Sequence, residues 1–436
     1  MAAVLGVVIF VVGLLVSIAL HEVGHMVPAK KFGVRVSEYF VGFGPTLWSR
    51  RGKETEYGVK AIPLGGYVRL VGMIPPEEAV KPVRGTGRVA TLIADTRAAS
   101  VDEVLDGEDH RAFYHLAWWK KVIVMFGGPV VNLIIAVFLF TVVMTGIGMP
   151  TSTTTVSRVA ECVPAAGATE CSSNDPASPA SVAGLQEGDT IIAVNDVRVD
   201  EWTDITSVVA ASAGEPVTLT VERGNSVVDV EVTPASYDRP QFDDAGKPIV
   251  DGNGDPVTAT VGYVGLVPTA ELASQPITAG LEHTGMIVRQ TIGVVATLPV
   301  ALYHVTLAAL GEEDRSQQGL VGIVGVGRIA ADVASADIVG YDTQMRIADM
   351  LMLLAGLNLA LFVFNMIPLV PLDGGHIAAA LWQGIKNGWA RLRRLPRPAP
   401  VDVARMMPLA YGVFGLLVVM GGILIWADVV APVTYG

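Results

Sequence analysis

Long apolar runs without charged residues dominate the pattern along the chain. A transmembrane helix needs about 20 consecutive apolar residues. Several charge-free stretches reach or approach that length, and each predicts a membrane-spanning helix. They are residues 3–20, 122–157, 350–372 and 406–427.

A different pattern follows the first apolar run. Residues Val34–Val41 and Val59–Gly72 are interpreted as β-strands, and glycine-rich sequence beginning at Gly42 separates them. This segment predicts a β-ribbon with glycine turns.

Composition supports a membrane protein. Only 17% of the residues are charged and 51% are hydrophobic, and the mean hydropathy is +0.50. These values exclude a disordered, collagen-like or disulfide-dense chain.

The net charge of −12 is unevenly distributed. Residues 28–121 carry 15 Lys and Arg against 11 acids, and residues 383–408 carry 6 against 1, whereas residues 147–349 carry 9 against 27. Because Lys and Arg mark cytoplasmic loops, the first two segments are expected inside and the acidic segment outside. Four crossings satisfy this arrangement. The basic residues flank membrane segments and form no separate patch, so we expect no nucleic-acid partner.

A candidate metal motif, HEVGH, stands at the end of the first apolar run. His21 and His25 are four residues apart and share one helix face, so both imidazoles can bind one metal ion. Glu22 then lies beside the metal-bound water as general base. The alternative is a solvated polar cluster at the helix end. It is disfavoured because three ionisable groups on a membrane helix are costly and are functional by default.

A catalytic zinc site needs a third protein ligand and one open position. Asp373 is the only acid in the apolar stretch Met350–Trp382, and prolines and glycines around it break helix geometry. Irregular backbone at membrane depth is tolerated where it lines a cavity. Asp373 is therefore the predicted third ligand, and an Asp capping a helix after a proline turn is the alternative.

The two ligand-bearing helices must run in the same direction for these groups to meet. A fifth apolar run, residues 290–311, contains no Asp, Glu, Lys or Arg, and His304 is its only histidine. A crossing there would reverse the later helix and separate Asp373 from the histidines. We therefore expect the segment 276–311, interrupted at Pro299, to be a surface or buried amphipathic helix on the outer side.

Three motifs together resemble the site-2 protease family of intramembrane zinc metalloproteases, in particular its bacterial branch that cleaves anti-sigma factors. They are HEVGH, GGPVVN at residues 127–132 and NMIPLVPLDGGH at residues 365–376. The resemblance implies one Zn²⁺ bound by His21, His25 and Asp373, with Glu22 as catalytic base. It also implies that Asn365 contacts the substrate backbone.

The sequence Gly42-Phe43-Gly44-Pro45 resembles the membrane-reentrant β-loop of that family, which implies that Gly42, Phe43 and Gly44 bind substrate. A substrate helix has its peptide groups paired internally and must unwind before hydrolysis. An edge strand can pair with the extended substrate. A purely structural hairpin is the alternative.

The outer segment contains a second resemblance. Residues 178–195, with strands expected at Ile191–Val194 and Val217–Val221 and a helix near Asp204–Ala213, resemble a PDZ domain. Whether it binds a peptide or acts as a size filter stays open. Cys162 and Cys171 lie in this oxidising-side segment and are expected to form a disulfide, with two free thiols as the alternative.

The predicted fold is a polytopic α-helical membrane protein with four transmembrane helices, a cytoplasmic-side reentrant β-loop and an extracytoplasmic PDZ-like α/β domain. The predicted segments are helix one at 1–27, the cytoplasmic β-loop segment at 28–117, helix two at 118–150, the PDZ-like domain at 151–270, an outer linker at 271–346, helix three at 347–382, a basic loop at 383–405 and helix four at 406–428.

The resemblance implies a protease of the bacterial plasma membrane. The distribution of Lys and Arg predicts that its N-terminus lies outside and its active site toward the cytoplasm. Its partners would be the lipid bilayer and single-span membrane protein substrates, such as anti-sigma factors or remnant signal peptides. A peptide or protein ligand of the PDZ-like domain is a further expected partner. The alternative function is a non-catalytic, zinc-binding membrane scaffold or sensor, which would not need Glu22.

Overall fold

The structure is a computed structural model in which the chain forms two units. They are Met1–Ile147 with Gln275–Gly436, and Gly148–Ser274. The residues it describes are 2–80, 87–163, 171, 175–241, 257–313, 315, 320–335 and 343–433.

The long apolar runs form helices, in which every interior backbone group has its partner within the same segment. The helices of the two units are α1 Ala2–Lys31, α2 Arg88–Asp102, α3 Trp118–Thr141, α4 Pro179–Ala183, α5 Trp202–Ala211, α6 Ala279–Leu310, α7 Ile323–Ser335, α8 Thr343–Asn365, α9 Asp373–Leu392 and α10 Met407–Val430. A π-helical turn, Val142–Ile147, continues α3.

Among the described residues, five segments are long and apolar enough to cross a membrane. They are Val4–Lys31, Trp118–Ile147, Ala279–Leu310, Thr343–Asn365 and Val403–Val430. The chain is therefore a polytopic membrane protein. The candidates exceed the predicted number by one, and the additional candidate is α6.

The helix α6 differs from the expectation of an interruption at Pro299, because it continues through that residue as one helix of 32 residues. A proline removes one intrahelical hydrogen bond and can kink a helix without ending it. The first turns of α6 lie against the C-terminal end of α3, where the rings of His283 and Phe140 are 4.8 Å apart. Its last turns pack with Ala427 near the end of α10.

Contacts between α1 and its neighbours define their relative directions. The later residue of α1, His25, contacts the earlier residue of α3, Val124, while the earlier His21 lies beside the later Gly128. The two helices are therefore antiparallel. Against α8 the contacting pairs advance together: Gly6 with Met350, Gly13 with Leu354 and Ser17 with Asn358. The helices α1 and α8 therefore run in the same direction, and α3 runs in the opposite one.

The predicted third membrane helix, residues 347–382, is not one continuous helix. The helix α8 ends at Asn365 and α9 begins at Asp373. Pro368 and Pro371 lie in the break, where they cannot donate backbone hydrogen bonds. A Cβ on Gly375 would lie 2.6 Å from the carbonyl carbon of Leu369, so only glycine lets α9 start this close to the break.

The predicted β-ribbon consists of two antiparallel strands, β1 Val36–Arg51 and β2 Glu56–Leu70. The glycine turn expected at Gly42 is wrong, because β1 runs through it. Gly42 and Gly44 have φ angles of +92° and +82°, and glycine adopts such angles without strain, so the strand bends instead of ending. The end of β2 lies against α1, where a Cβ on Gly66 would be 3.2 Å from Cγ of Glu22.

The second unit is a small α/β structure. Its six-stranded sheet has the order β10-β3-β4-β6-β7 with β5 paired to β4, and β8 pairs with β9 separately. Buried side chains including Ile191, Ile205 and Leu219 form its core. The strands are β3 Met149–Val159, β4 Thr190–Val194, β5 Val197–Arg198, β6 Val217–Arg223, β7 Ser226–Val232, β8 Ala235–Pro240, β9 Thr258–Tyr263 and β10 Leu266–Ala273.

Two local features stabilise the second unit. Cys162 and Cys171 form a disulfide with a Cα–Cα distance of 5.9 Å. The carboxylate of Asp189, a buried residue directly before β4, accepts hydrogen bonds from both Nε and Nη2 of Arg223 at 2.7 Å. Such a bidentate ion pair holds the ends of β4 and β6 together.

Candidate metal centre

Two histidines of α1 and one aspartate of α9 meet at one point. The Nε2 atoms of His21 and His25, one turn apart on α1, are 3.2 Å apart. Oδ2 of Asp373, in the first turn of α9, lies 3.4 Å from Nε2 of His21 and 3.3 Å from Nε2 of His25. In the described chain these three residues form a group whose ligand atoms all lie within 4.8 Å of one another.

The orientation of His25 suits metal binding. Its Nδ1 lies 2.8 Å from the carbonyl oxygen of Val124 on α3 and donates a hydrogen bond to it. This bond leaves the Nε2 lone pair pointing toward His21 and Asp373. Metal-binding histidines are commonly held by such a bond from the other ring nitrogen.

The donor set fits a zinc ion. Oδ2 of Asp373 is buried and accepts no hydrogen bond from the described residues. Two imidazole nitrogens and one carboxylate oxygen converge on one point, and a cation there would pair with all three. Three such ligands with a fourth position open are typical of catalytic zinc.

Glu22 and the metal ligands line one cavity of about 410 Å³. The end of β2, including Gly66, Tyr67 and Val68, forms part of the wall. Asn365, the last residue of α8, also lines the cavity. A carboxylate beside the metal position and a strand along the wall give this cavity the groups that peptide hydrolysis requires.

Close packing of α1 on α3 allows the ligands to converge. A Cβ on Gly24 would overlap the backbone of Gly127, and a Cβ on Gly127 would overlap the carbonyl oxygen of Gly24. A Cβ on Gly128 would lie 2.7 Å from Nε2 of His21 and closer still to Nε2 of His25. Glycine at Gly127 and Gly128 is therefore required by the space around the histidines.

The sequence of the chain matches the model of a known protein family. A family model described as peptidase family M50 matches residues 9–394. The chain belongs to peptidase family M50.

The chain aligns with several zinc metalloproteases over most of its length. It is 32% identical over 454 residues to the zinc metalloprotease Rip1 of Mycobacterium tuberculosis H37Rv, and the alignment covers 99% of both chains. It is 33% identical over 449 residues to Rip1 of Mycolicibacterium smegmatis, covering 99% of this chain and 98% of that protein. Metalloprotease MmpA of Caulobacter vibrioides is 26% identical over 393 residues, 87% of this chain and 88% of that protein.

These matches confirm the predicted site-2 protease family, the enzyme class and the Zn²⁺ cofactor. The chain is an intramembrane zinc metalloprotease, and its family acts on membrane proteins within the lipid bilayer. The assignment of individual roles to its residues stays a proposal.

The structure brings together some predicted site residues and not others. The ligands, Glu22 and Asn365 line one cavity, but Gly42, Phe43 and Gly44 are not among its described lining residues. These three lie on β1, one strand behind β2. The ring of Phe43 stacks on Tyr67, at 6.2 Å between centroids, and Tyr67 lines the cavity.

Asn132 of the peptidase, the last residue of the GGPVVN motif, is a site residue to which the Sequence analysis assigns no role. Its side chain lines the cavity, is 1% exposed, and has no hydrogen-bond partner at either Nδ2 or Oδ1 within the described residues. A buried amide without partners is costly unless a ligand pairs with it. The signal in the sequence is a single amide in the apolar part of α3 that follows Lys121.

Proposed function

We propose that this peptidase hydrolyses a peptide bond in the transmembrane segment of single-span membrane proteins. His21, His25 and Asp373 would hold one Zn²⁺, with Glu22 as general base. The observation that carries the proposal is the convergence of these three ligand atoms beside Glu22 in a cavity at the end of apolar helices.

Zinc at this position would polarise the scissile carbonyl and lower the pKa of a bound water molecule. The Glu22 carboxylate would take the proton of that water and deliver it to the leaving amine. The imidazole of His25 would stay fixed, because its Nδ1 is held by the carbonyl oxygen of Val124.

Substrate positioning would fall to β2, Asn132 and Asn365. The substrate helix must unwind, and its freed N–H and C=O groups then need partners. The end of β2 lines the cavity and can pair with an extended segment. The amides of Asn132 and Asn365 can donate to its carbonyls. In this proposal Gly42, Phe43 and Gly44 shape β2 from behind, with Phe43 packed on Tyr67.

The proposed topology has four crossings, by α1, α3, α8 and α10. The helices α1 and α8 are parallel and α3 is antiparallel to both. The chain between α3 and α8 must therefore return to the side from which it started, so α6 makes no net crossing. The distribution of Lys and Arg favours an N-terminus outside and the metal end toward the cytoplasm of a bacterial plasma membrane.

The second unit is proposed to be an extracytoplasmic PDZ-like domain. Its sheet ends in β10, and a cavity of about 290 Å³ lies between α5 and the start of β10, lined by Ile205, Val209 and Leu266. An edge strand beside a helix can accept a peptide strand. Filtering by size is equally consistent with this arrangement. The proposed substrates are anti-sigma factors already trimmed outside and remnant signal peptides.

The test is Glu22→Gln in membranes that contain a candidate single-span substrate, with zinc content measured in parallel. We expect zinc to be retained and cleavage to be lost, because the amide cannot accept the proton of water. Glu77→Gln, an exposed glutamate away from the cavity, is the matched control and should cleave normally. Cleavage at the wild-type rate with zinc bound would mean that Glu22 is not the general base, and the proposed mechanism would be wrong.

A further inference from the structure

A second cavity, of about 340 Å³, lies between the first turn of α3, the middle of α9 and residues 397–400. The helix α9 packs directly on Trp118, since a Cβ on Gly384 would lie 2.7 Å from Cδ2 of that indole. This cavity shares no described lining residue with the metal cavity. It is a separate site.

Its charge is positive. Lys121 and Arg397 both line it, and none of its described lining residues is Asp or Glu. Nζ of Lys121 donates one hydrogen bond to the carbonyl oxygen of Tyr114 at 2.8 Å, which leaves its other N–H groups free for a ligand. Two cations beside one cavity repel each other, and an anion between them would relieve that repulsion.

Gln383 adds a requirement for a hydrogen-bond donor. Its side chain is 7% exposed, and Nε2 donates to Oδ1 of Asn387 at 2.8 Å. Its Oε1 is buried and accepts no hydrogen bond from the described part of the chain. Since an unpaired buried acceptor is costly, an occupant should bring a donor as well as a negative charge.

The surroundings place this cavity beside lipid. On α9, Trp382, Ile385 and Trp389 are 56%, 61% and 56% exposed and follow one another at helical spacing. An apolar stripe with tryptophans, followed by a basic segment, is typical of a helix lying at the membrane surface. Trp118 begins the membrane helix α3 at the same level. The cavity is thus within reach of phospholipid headgroups.

We propose that this cavity binds the phosphate group of a phospholipid with a hydroxylated headgroup, as in phosphatidylglycerol. Lys121 and Arg397 pair with the phosphate oxygens, and a headgroup hydroxyl donates to Oε1 of Gln383. An ammonium headgroup fits less well, because it would place a third positive charge beside two others. The site does not depend on the metal centre or on peptide hydrolysis.

The test titrates the delipidated full chain with phosphatidylglycerol or phosphatidylcholine and counts bound lipids by native mass spectrometry. We expect a site with a preference for phosphatidylglycerol. Arg397→Gln should weaken that binding by about fivefold, the effect of removing one cation near an anionic lipid. Arg391→Gln removes an exposed charge from the last turn of α9, outside the cavity, and should bind like the wild type. Unchanged zinc content verifies that each variant is folded.

Three outcomes would overturn the proposal. The first is equal binding of the two lipids by the wild type. The second is an equal loss in Arg391→Gln and Arg397→Gln, which would indicate unspecific surface charge. The third is displacement of phosphatidylglycerol by an equal concentration of inorganic phosphate, which would make the ligand a soluble phosphate and not a lipid.

Discussion

At the scale of single residues, the buried carboxylates of Asp189 and Asp373 differ in their hydrogen bonds and therefore in their roles. Both oxygens of Asp189 accept hydrogen bonds from Arg223, and Oδ2 also accepts one from the backbone N–H of Gln186. Oδ2 of Asp373 accepts none from the described residues and faces two imidazole nitrogens. The first carboxylate is structural, whereas the second has the surroundings of a metal ligand.

The Asp189 pair makes the stability of the second unit depend on pH. Hydrogen bonds from Arg223 hold the pKa of the Asp189 carboxyl below its ordinary value. A lowered pKa stabilises the fold above the unfolded-state pKa of about 3.9, and this contribution is lost as pH falls through the lower folded-state pKa. Arg223→Gln should therefore destabilise β4 and β6 at neutral pH, with the difference from wild type shrinking in acid.

Hydrogen exchange of the β4 and β6 amides, measured at several pH values, checks this expectation. Arg198→Gln is the control, because Arg198 and Asp200 form an ion pair with side chains 86% and 78% exposed. Exposed pairs contribute little to stability. A loss in Arg223→Gln that is the same at every pH, or one matched by Arg198→Gln, would contradict the linkage.

At the scale of elements, the metal centre depends on how closely α1 approaches α3. Gly24 on one helix and Gly127 on the other leave no room for a side chain between them. Small residues allow such contacts between helices in a membrane. The neighbouring Gly128 has an additional role, because its Cα faces the Nε2 atoms of both histidines.

Gly128→Ala tests this role. The added methyl group would lie where the histidine nitrogens are, so the helices must separate or the imidazoles must rotate. Misplacement of catalytic groups by 1 Å costs about 100-fold in rate, and we expect a loss of cleavage of at least that order together with lower zinc occupancy.

Gly146→Ala is the matched control, because a Cβ at that position meets nothing within 4 Å. It should cleave and bind zinc like the wild type. Wild-type cleavage and zinc content in Gly128→Ala would mean that the helices do not approach as closely as described.

At the scale of the whole molecule, the path of the chain between α3 and α8 determines whether the ligands can meet. Asp373 reaches the histidines because α8 runs in the direction of α1. The 32-residue α6 is long enough to cross, yet its two ends contact the C-terminal ends of α3 and α10. In the proposed topology both of those ends lie outside.

Cysteine labelling measures this topology. Glu312, just after α6, is replaced by cysteine, while Cys162 and Cys171 are paired in a disulfide and should not react. A membrane-impermeant thiol reagent added outside should label Glu312→Cys. Glu77→Cys should react only after the membrane is permeabilised. Labelling of Glu312→Cys from the inside alone would mean that α6 crosses, and the four-crossing proposal would be wrong.

The sequence predicts the local part of the site better than its distant part. His21, Glu22 and His25 lie within one helical turn, so their spacing alone predicts a shared face. Asp373 could be proposed because it is the sole acid in an apolar stretch. The space required at Gly128 could not be predicted, since it depends on how α3 approaches α1 across about a hundred residues of chain.

Two features of the fold were harder to predict for similar reasons. Gly42-Phe43-Gly44 has the composition of a turn, but pairing with β2 carries the strand through it. The apolar stretch after Met350 looks continuous in hydropathy, whereas Pro368 and Pro371 divide it into α8 and α9. In the first case strand pairing, which periodicity does not contain, decides the local geometry, and in the second case the prolines decide it.

We propose that two residues of α1 and one of α9 share a single zinc ion. Zinc-edge X-ray absorption on the full chain in the Glu22→Gln background, with zinc counted per chain, tests it most directly. The account predicts one zinc per chain bound by two imidazoles and one carboxylate at about 2.0–2.2 Å. It also predicts that Asp373→Ala loses most of the metal. An unchanged zinc content and spectrum in Asp373→Ala would contradict it.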